Sequence, residues 1–208
     1  MASSGAGALI IACGALAREI AALRRANGWD TLDVQCLPAE LHNEPQRIPE
    51  LVRAAIRAAR GRYRTIFVAY ADCGTGGRLD AVLQEEGVER IAGAHCYEFF
   101  ATSAQFEQLC EAEPGTFYLT DFLVRHFERL VVPTLGIDRH PQLVGEYFRN
   151  YKRVVYLAQT HSEPVIAAAR QIAERLGLAF EYRFTGYGEL ANSLQRVEQT
   201  VQWAAWPR

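Results

Sequence analysis

Apolar and polar positions along this chain follow two rhythms that take turns. Short continuous apolar runs, fit for strands buried on both faces, fall at residues 9–12, 31–37, 65–70, 88–92, 117–119, 153–158 and 179–184. Between them apolar residues recur at helical spacing over 17–25, 50–60, 79–85, 103–110, 121–130, 143–150, 164–176 and 189–201. The punctuation agrees. Asn27-Gly28 stops the first helix, Ser103 caps the fourth, and Pro164 and Gly177 open and close the seventh. In the second helix Leu51, Val52, Ala55, Ile56 and Ala59 share one face, which leaves Arg53, Arg57 and Arg60 for solvent. The segment 38–49 is too proline-rich for regular structure, and 133–141 reads as a connector.

Strands alternating with helices predict an α/β fold: a mainly parallel sheet with helices on both faces, Rossmann-like in layout. The 208 residues fit a single α/β domain over 1–208. LIIACGALAREI and VVYLAQTHSEPV are both strand, short loop and helix, so two related halves are expected as sub-lobes 7–132 and 142–202.

Composition narrows the classes of partner. The chain is half apolar and 22% charged, with a formal net charge of −2 and a pI near 6.2. Such a balance gives no electrostatic footprint for nucleic acid and no polybasic membrane patch. Residues 7–17 resemble a short export signal, but no Lys or Arg precedes them and Arg18 and Glu19 end the run. A buried first strand in a cytoplasmic protein is the expectation. Five cysteines, odd in number and irregularly spaced, predict reduced thiols rather than a disulfide framework.

Ligands of open α/β sheets bind beyond the carboxyl ends of the strands. Chemistry-bearing residues gather at those ends: Cys13, His42, Asp72 and Cys73, His95 and Cys96, Asp121, Thr160 and His161, and Tyr187. Cys36 and Cys110 fall inside elements, where a thiol serves as a small apolar filler. Cys13, Cys73 and Cys96 with a histidine make a donor set for zinc or another thiophilic metal. Each would come from its own loop, as in a reactive or cofactor site, and sulfurs on one zinc should lie roughly 4 Å apart. The plain alternative is thiols tucked beneath loops.

ADCGTGG is the sharpest local signal. Gly74, Thr75, Gly76 and Gly77 form a turn whose amides suit a cofactor's anionic group or a thiolate, or which merely needs glycine for its geometry. No Lys follows the glycines, which argues against nucleotide triphosphate hydrolysis. Cys73 at that turn also suits an activated nucleophile with His95 as its base. His126 and His140 read as surface or packing residues, and Trp203 and Trp206 as docking the C-terminal tail.

ADCGTGG, AGAHCYEFF and EPGTFYLTDF in series, with CGALAREI, LPAELHNEP and NYKRVVYLAQT, resemble the domain of unknown function 1638 family over roughly residues 8 to 195. The resemblance implies a link to corrinoid-dependent methyltransferase systems for methylamines and betaines, and so to one-carbon metabolism. It points to Cys13, His42, Cys73, His95 and Cys96, while His161 lies outside its pattern. Three functions follow as expectations. One is a metal-binding protein, zinc most simply, that holds a small-molecule substrate. Another is a metal-free enzyme using Cys73 and His95. The last is a non-catalytic partner of a corrinoid protein or methyltransferase, through which a corrinoid would be met.

Overall fold

A computed structural model describes residues 7–205. The chain divides into two compact units, one running through Phe99 and resuming at Glu189, the other spanning Phe100–Gly188.

In the first unit β1 (Ala8–Cys13) is buried at all six positions. It lies between β2 (Leu32–Leu37) and β3 (Thr65–Ala69), parallel to both, with Ile10 opposite Val34 and Phe67. A strand with neighbours on both edges and helices on both faces has no polar side to show, which is why ALIIAC carries no alternation. Helix α1 (Ala17–Asn27) stops at Gly28, in the left-handed region. Helix α2 (Ile48–Ala59) buries Ile48, Val52, Ala55, Ile56 and Ala59, and α3 (Arg78–Glu86) follows the glycine turn. The last strand, β4 (Glu89–Arg90), completes the order β2-β1-β3-β4.

Several expectations change here. The fourth strand shrinks to two residues, because the chain leaves the ladder and pairing resumes between loops: Asp72 N donates to Gly93 O (3.1 Å) and Cys73 N to Ala94 O (2.9 Å). Segment 38–49 is not irregular. It forms 3-10 turns at Ala39–Asn43 and Pro45–Arg47, short enough that a proline at the start costs no internal hydrogen bond. The α2 arginines do more than face water: Arg57 (2.7 Å), Arg60 (3.1 Å) and Arg53 (3.6 Å) close on the buried Glu86 carboxylate, which needs such pairing away from solvent. Cys36 is exposed rather than a filler, since β2 is an edge strand.

The second unit opens with α4 (Ser103–Ala112), capped by Thr102 rather than Ser103: Thr102 and Gln105 form a reciprocal capping box. Then come β5 (Thr116–Thr120), α5 (Asp121–Leu130), α6 (Val132–Leu135), α7 (Leu143–Phe148), β6 (Arg153–Ala158), α8 (Glu163–Leu176) and β7 (Ala179–Phe184). The three strands are parallel in the order β5-β6-β7, over a core that includes Leu119, Phe127, Val154, Tyr156 and Ile172. The connector 133–141 therefore lies inside this unit, and the boundary falls between Phe99 and Phe100, ahead of α4 and of β5, which begins a new sheet instead of extending the first.

Helix α9 (Gly188–Ala205) carries the chain back to the first unit, burying Leu190, Leu194, Val197 and Val201, with Thr31 donating to Glu198. Trp203 on this helix is 85% exposed, so it does not dock the tail; Trp206 lies outside the described residues. No helix among the described residues is long and apolar enough to cross a membrane.

Candidate metal centre

The strand order of the first unit reverses around β1. The chain moves outward from β1 to β2, then returns to place β3 on the other side. A crevice opens beyond the carboxyl ends at such a switch point. Cys13 is the last residue of β1, and Cys73 lies four residues beyond the end of β3. Gly14 sits where the β1 and β2 ends meet. A Cβ there would lie 2.9 Å from Leu37 O and 3.2 Å from Ala39 N, so only glycine lets the turn bearing His42 come this close.

Three loops bring the donors together. His42 comes from the 3-10 turn after β2, Cys73 from the turn after β3, and Cys96 from the 3-10 turn at Cys96–Phe100. One ligand atom from each of His42, Cys73 and Cys96 lies within 4.8 Å of the others. The Cys73 and Cys96 sulfurs are 3.0 Å apart, and Cys96 Sγ is 3.9 Å from His42 Nε2. Cys13 Sγ accepts from Ala15 N (3.3 Å) and lies 3.7 Å from His42 Nδ1, beside the group of three. His42 Nδ1 lies 3.1 Å from Ala39 O, so a proton there is held by that carbonyl, and Nε2 is the ring nitrogen turned toward the Cys96 sulfur. Cys13 and Cys73 are buried, Cys96 is partly exposed and His42 is exposed, so the cluster is open on one side.

Electrostatics mark the metal-free cluster as proton-rich. Burial pulls the His42 pKa down, but the Cys73 and Cys96 sulfurs outweigh it and hold the group at about 10. The Cys73 thiol is pushed up by its contact with Cys96 and then by burial. The cluster thus keeps protons on both its imidazole and its Cys73 thiol.

Tyr70 is the residue that sequence reasoning passed over, as the end of an apolar strand. It is fully buried, its ring lies parallel to His42 at 6.5 Å, and its hydroxyl has no nitrogen or oxygen partner among the described residues, its polar surroundings being the cluster sulfurs. Burial first, then the nearby Cys13, Cys96 and Cys73 sulfurs, raise its pKa, so it stays a donor. The available signal was a hydroxyl at a strand terminus two residues before Asp72-Cys73.

The glycine turn has a different occupant from the anion expected for Gly74, Thr75, Gly76 and Gly77. Asp72 accepts from Gly77 N (2.8 Å), Gly76 N (3.1 Å) and the Thr75 hydroxyl (2.7 Å). The Gly77 amide first, then Thr75, hold its carboxyl below the usual range. The protein's own carboxylate fills the amide cradle at the start of α3. Positive φ at Cys73 (49°), Gly74, Gly76 and Gly77 is what bends the chain around that carboxylate.

His95 is exposed, stacked on Tyr97 at 4.9 Å, and outside the three-donor group. In the second unit His161 packs against Phe184 at 3.8 Å with its Nδ1 3.2 Å from the Tyr182 hydroxyl. Cys110 rests against the Tyr118 hydroxyl at 3.4 Å.

The chain is a parallel α/β protein with a cluster of soft donors, His42, Cys73 and Cys96, at the carboxyl rim of one sheet. Residues 36–194 match the family described as protein of unknown function (DUF1638), and the chain belongs to that family. No curated protein matches it.

Proposed function

We propose that this chain binds a thiophilic divalent metal, zinc most simply, through His42, Cys73 and Cys96 with Cys13 as the fourth donor, and that it serves corrinoid-dependent methyl transfer in one-carbon metabolism. The observation that carries this reading is the approach of His42, Cys73 and Cys96 to within 4.8 Å from three separate loops. Soft sulfur and imidazole donors are the set zinc prefers. In a tetrahedral zinc site two sulfurs lie about 3.8 Å apart, so the 3.0 Å Cys73–Cys96 pair opens slightly on loading.

Bound metal supplies Lewis acidity, lowering the pKa of a substrate thiol or heteroatom. The chain's own residues do the rest. Ala39 O fixes the His42 ring, and the buried Tyr70 hydroxyl donates either to a cluster thiolate or to the substrate atom. The exposed side of His42 admits a small molecule. A cytoplasmic setting suits it, since the donors work only as reduced thiols. The corrinoid would be met on a partner protein.

Protein purified without a histidine tag and kept reduced should hold about one metal equivalent per chain by elemental analysis. Below about 0.1 equivalent, the metal reading fails. The corrinoid link is tested by co-elution with a corrinoid protein of the same cell, and its failure leaves the metal site untouched. The metal-free alternative with Cys73 as nucleophile loses ground because His95, its expected base, stacks on Tyr97 outside the cluster.

A further inference from the structure

We infer that Cys73 and Cys96 form a reversible disulfide with each other, and that this disulfide and bound metal exclude one another, so that the centre is gated by thiol redox state. The gate rests on the metal-binding reading above; the disulfide does not.

Two sulfurs from loops 23 residues apart stand 3.0 Å from each other in the reduced chain. The loops are fastened together by backbone, through Asp72 N to Gly93 O and Cys73 N to Ala94 O. A pair held by its backbone loses little conformational freedom on bonding, which favours closure over intermolecular capture. Cys73 is also the one non-glycine residue among those described with positive φ. An L-residue is strained there, and the Asp72 hydrogen bonds that bend the same turn hold it in place. Exposure differs between the two thiols. As whole residues Cys96 is partly exposed and Cys73 is 7% exposed, although within the cluster both thiols are buried, so Cys96 is the less enclosed of the two.

The order of events follows, with a low-molecular-weight disulfide such as oxidised glutathione as the oxidant. The Cys96 thiolate attacks one glutathione sulfur, a Cys96–glutathione bond forms, and one glutathione thiolate leaves. The Cys73 thiolate then attacks Cys96 Sγ, the Cys73–Cys96 bond forms, and the second glutathione thiolate leaves. Two electrons pass to the glutathione disulfide, and the two thiol protons end on the two released glutathiones. Cys73 and Cys96 are then no longer thiolate donors. His42 and Cys13 alone are too few for a tetrahedral site. In the other direction, a metal holding both sulfurs removes the nucleophile from the exchange.

The test uses the full chain carrying Cys36→Ser, which removes the exposed thiol that would otherwise pick up glutathione. Metal-free protein and protein reloaded with one equivalent of Zn²⁺ are exposed to oxidised glutathione and followed by intact mass and non-reducing peptide mapping. The metal-free sample should lose about 2 Da and yield a linked peptide pair containing Cys73 and Cys96, reversed by a dithiol reductant. The zinc-loaded sample should react at least about tenfold more slowly. Adding Cys73→Ser should instead stall at a Cys96–glutathione adduct, about 305 Da heavier. A metal-free sample showing only adducts, or a link between other cysteines, overturns the disulfide. Equal rates with zinc shown to be bound overturn the gate, and equal rates with no zinc retained overturn the metal reading beneath it.

Discussion

The two units end their parallel strands in polar residues of opposite character. Beyond β5 and β6 the fully buried Asp121 accepts from the Tyr156 hydroxyl (2.6 Å), the Thr160 hydroxyl (2.6 Å), Gln159 N (3.0 Å) and Arg125 (3.1 Å). Gln159 returns the favour, taking Asp121 N on its side-chain oxygen at 2.8 Å and giving its amide to Leu157 O. Beyond β1 and β3, by contrast, sulfurs crowd a protonated imidazole and the Tyr70 hydroxyl has no nitrogen or oxygen partner among the described residues. Topology runs the same way: the order β5-β6-β7 never reverses, while β2-β1-β3-β4 does. A buried polar group whose every bond is made holds the fold together, whereas one without a partner adds nothing to the fold by hydrogen bonding. Polarity at a strand end is therefore a weak guide to function, and the account of its partners is a strong one.

Exchanging the roles of the two rims would break this contrast. The largest effect should come from Cys73→Ala or Cys96→Ala, each lowering zinc affinity by on the order of 100-fold or more in a competition titration, with unfolding of the second unit unchanged. An unaltered affinity would place the metal elsewhere. Asp121→Ala should do the converse. It strands two hydroxyls, an amide and an arginine, and should cost about 3 kcal/mol in denaturant unfolding while metal content stays the same.

Acid sharpens the point. Burial pushes the Asp121 carboxyl up, but bonds from Thr160, Tyr156 and Gln159 with the Arg125 charge outweigh it and leave the folded pKa lowered. The unfolded chain then binds the extra proton more readily, so stability rises with pH in this window. The contribution is complete above the unfolded carboxyl value of about 3.9 and is lost as pH falls through the lower folded value. Asp121→Asn should flatten that acid limb in denaturant midpoints taken from about pH 2 to 6; a limb of the same steepness would assign it to other carboxylates.

Tyr70→Phe should have effects of opposite sign in the two states. Removing an unpaired hydroxyl should stabilise the metal-free chain by up to about 1 kcal/mol. Zinc affinity should fall about tenfold as a donor to the centre is lost. Destabilisation of the metal-free chain would mean that the hydroxyl already has a partner. Smallest of all, Trp203→Ala should change stability by less than about 0.5 kcal/mol, as its exposure dictates.

Much of the fold was legible because local rules carried it. The apolar runs and their glycine and proline stops located the seven strands found among the described residues, although β4 is only two residues long. That Cys13, His42, Cys73, His95 and Cys96 lie beyond carboxyl ends of strands was read from the strand boundaries and the expectation of a parallel sheet. Other features were not legible, for reasons that lie in pairing. Which strands share a sheet depends on hydrogen bonds between distant segments, so the boundary at Phe99 gave no local sign. Edge position exposed Cys36, and a carboxylate at the end of α3 turned surface arginines into its clasp.

The sequence by itself settled the alternation of strand and helix, because periodicity and capping act within a few residues. It also settled which residue types stand at the strand ends. Only the tertiary structure decided that Asp72, not a ligand, fills the glycine turn, that Cys73 faces Cys96, and that the Tyr70 hydroxyl has no nitrogen or oxygen partner among the described residues. Those facts depend on angstrom-scale distances between segments remote in sequence, and no local pattern encodes a distance of that kind.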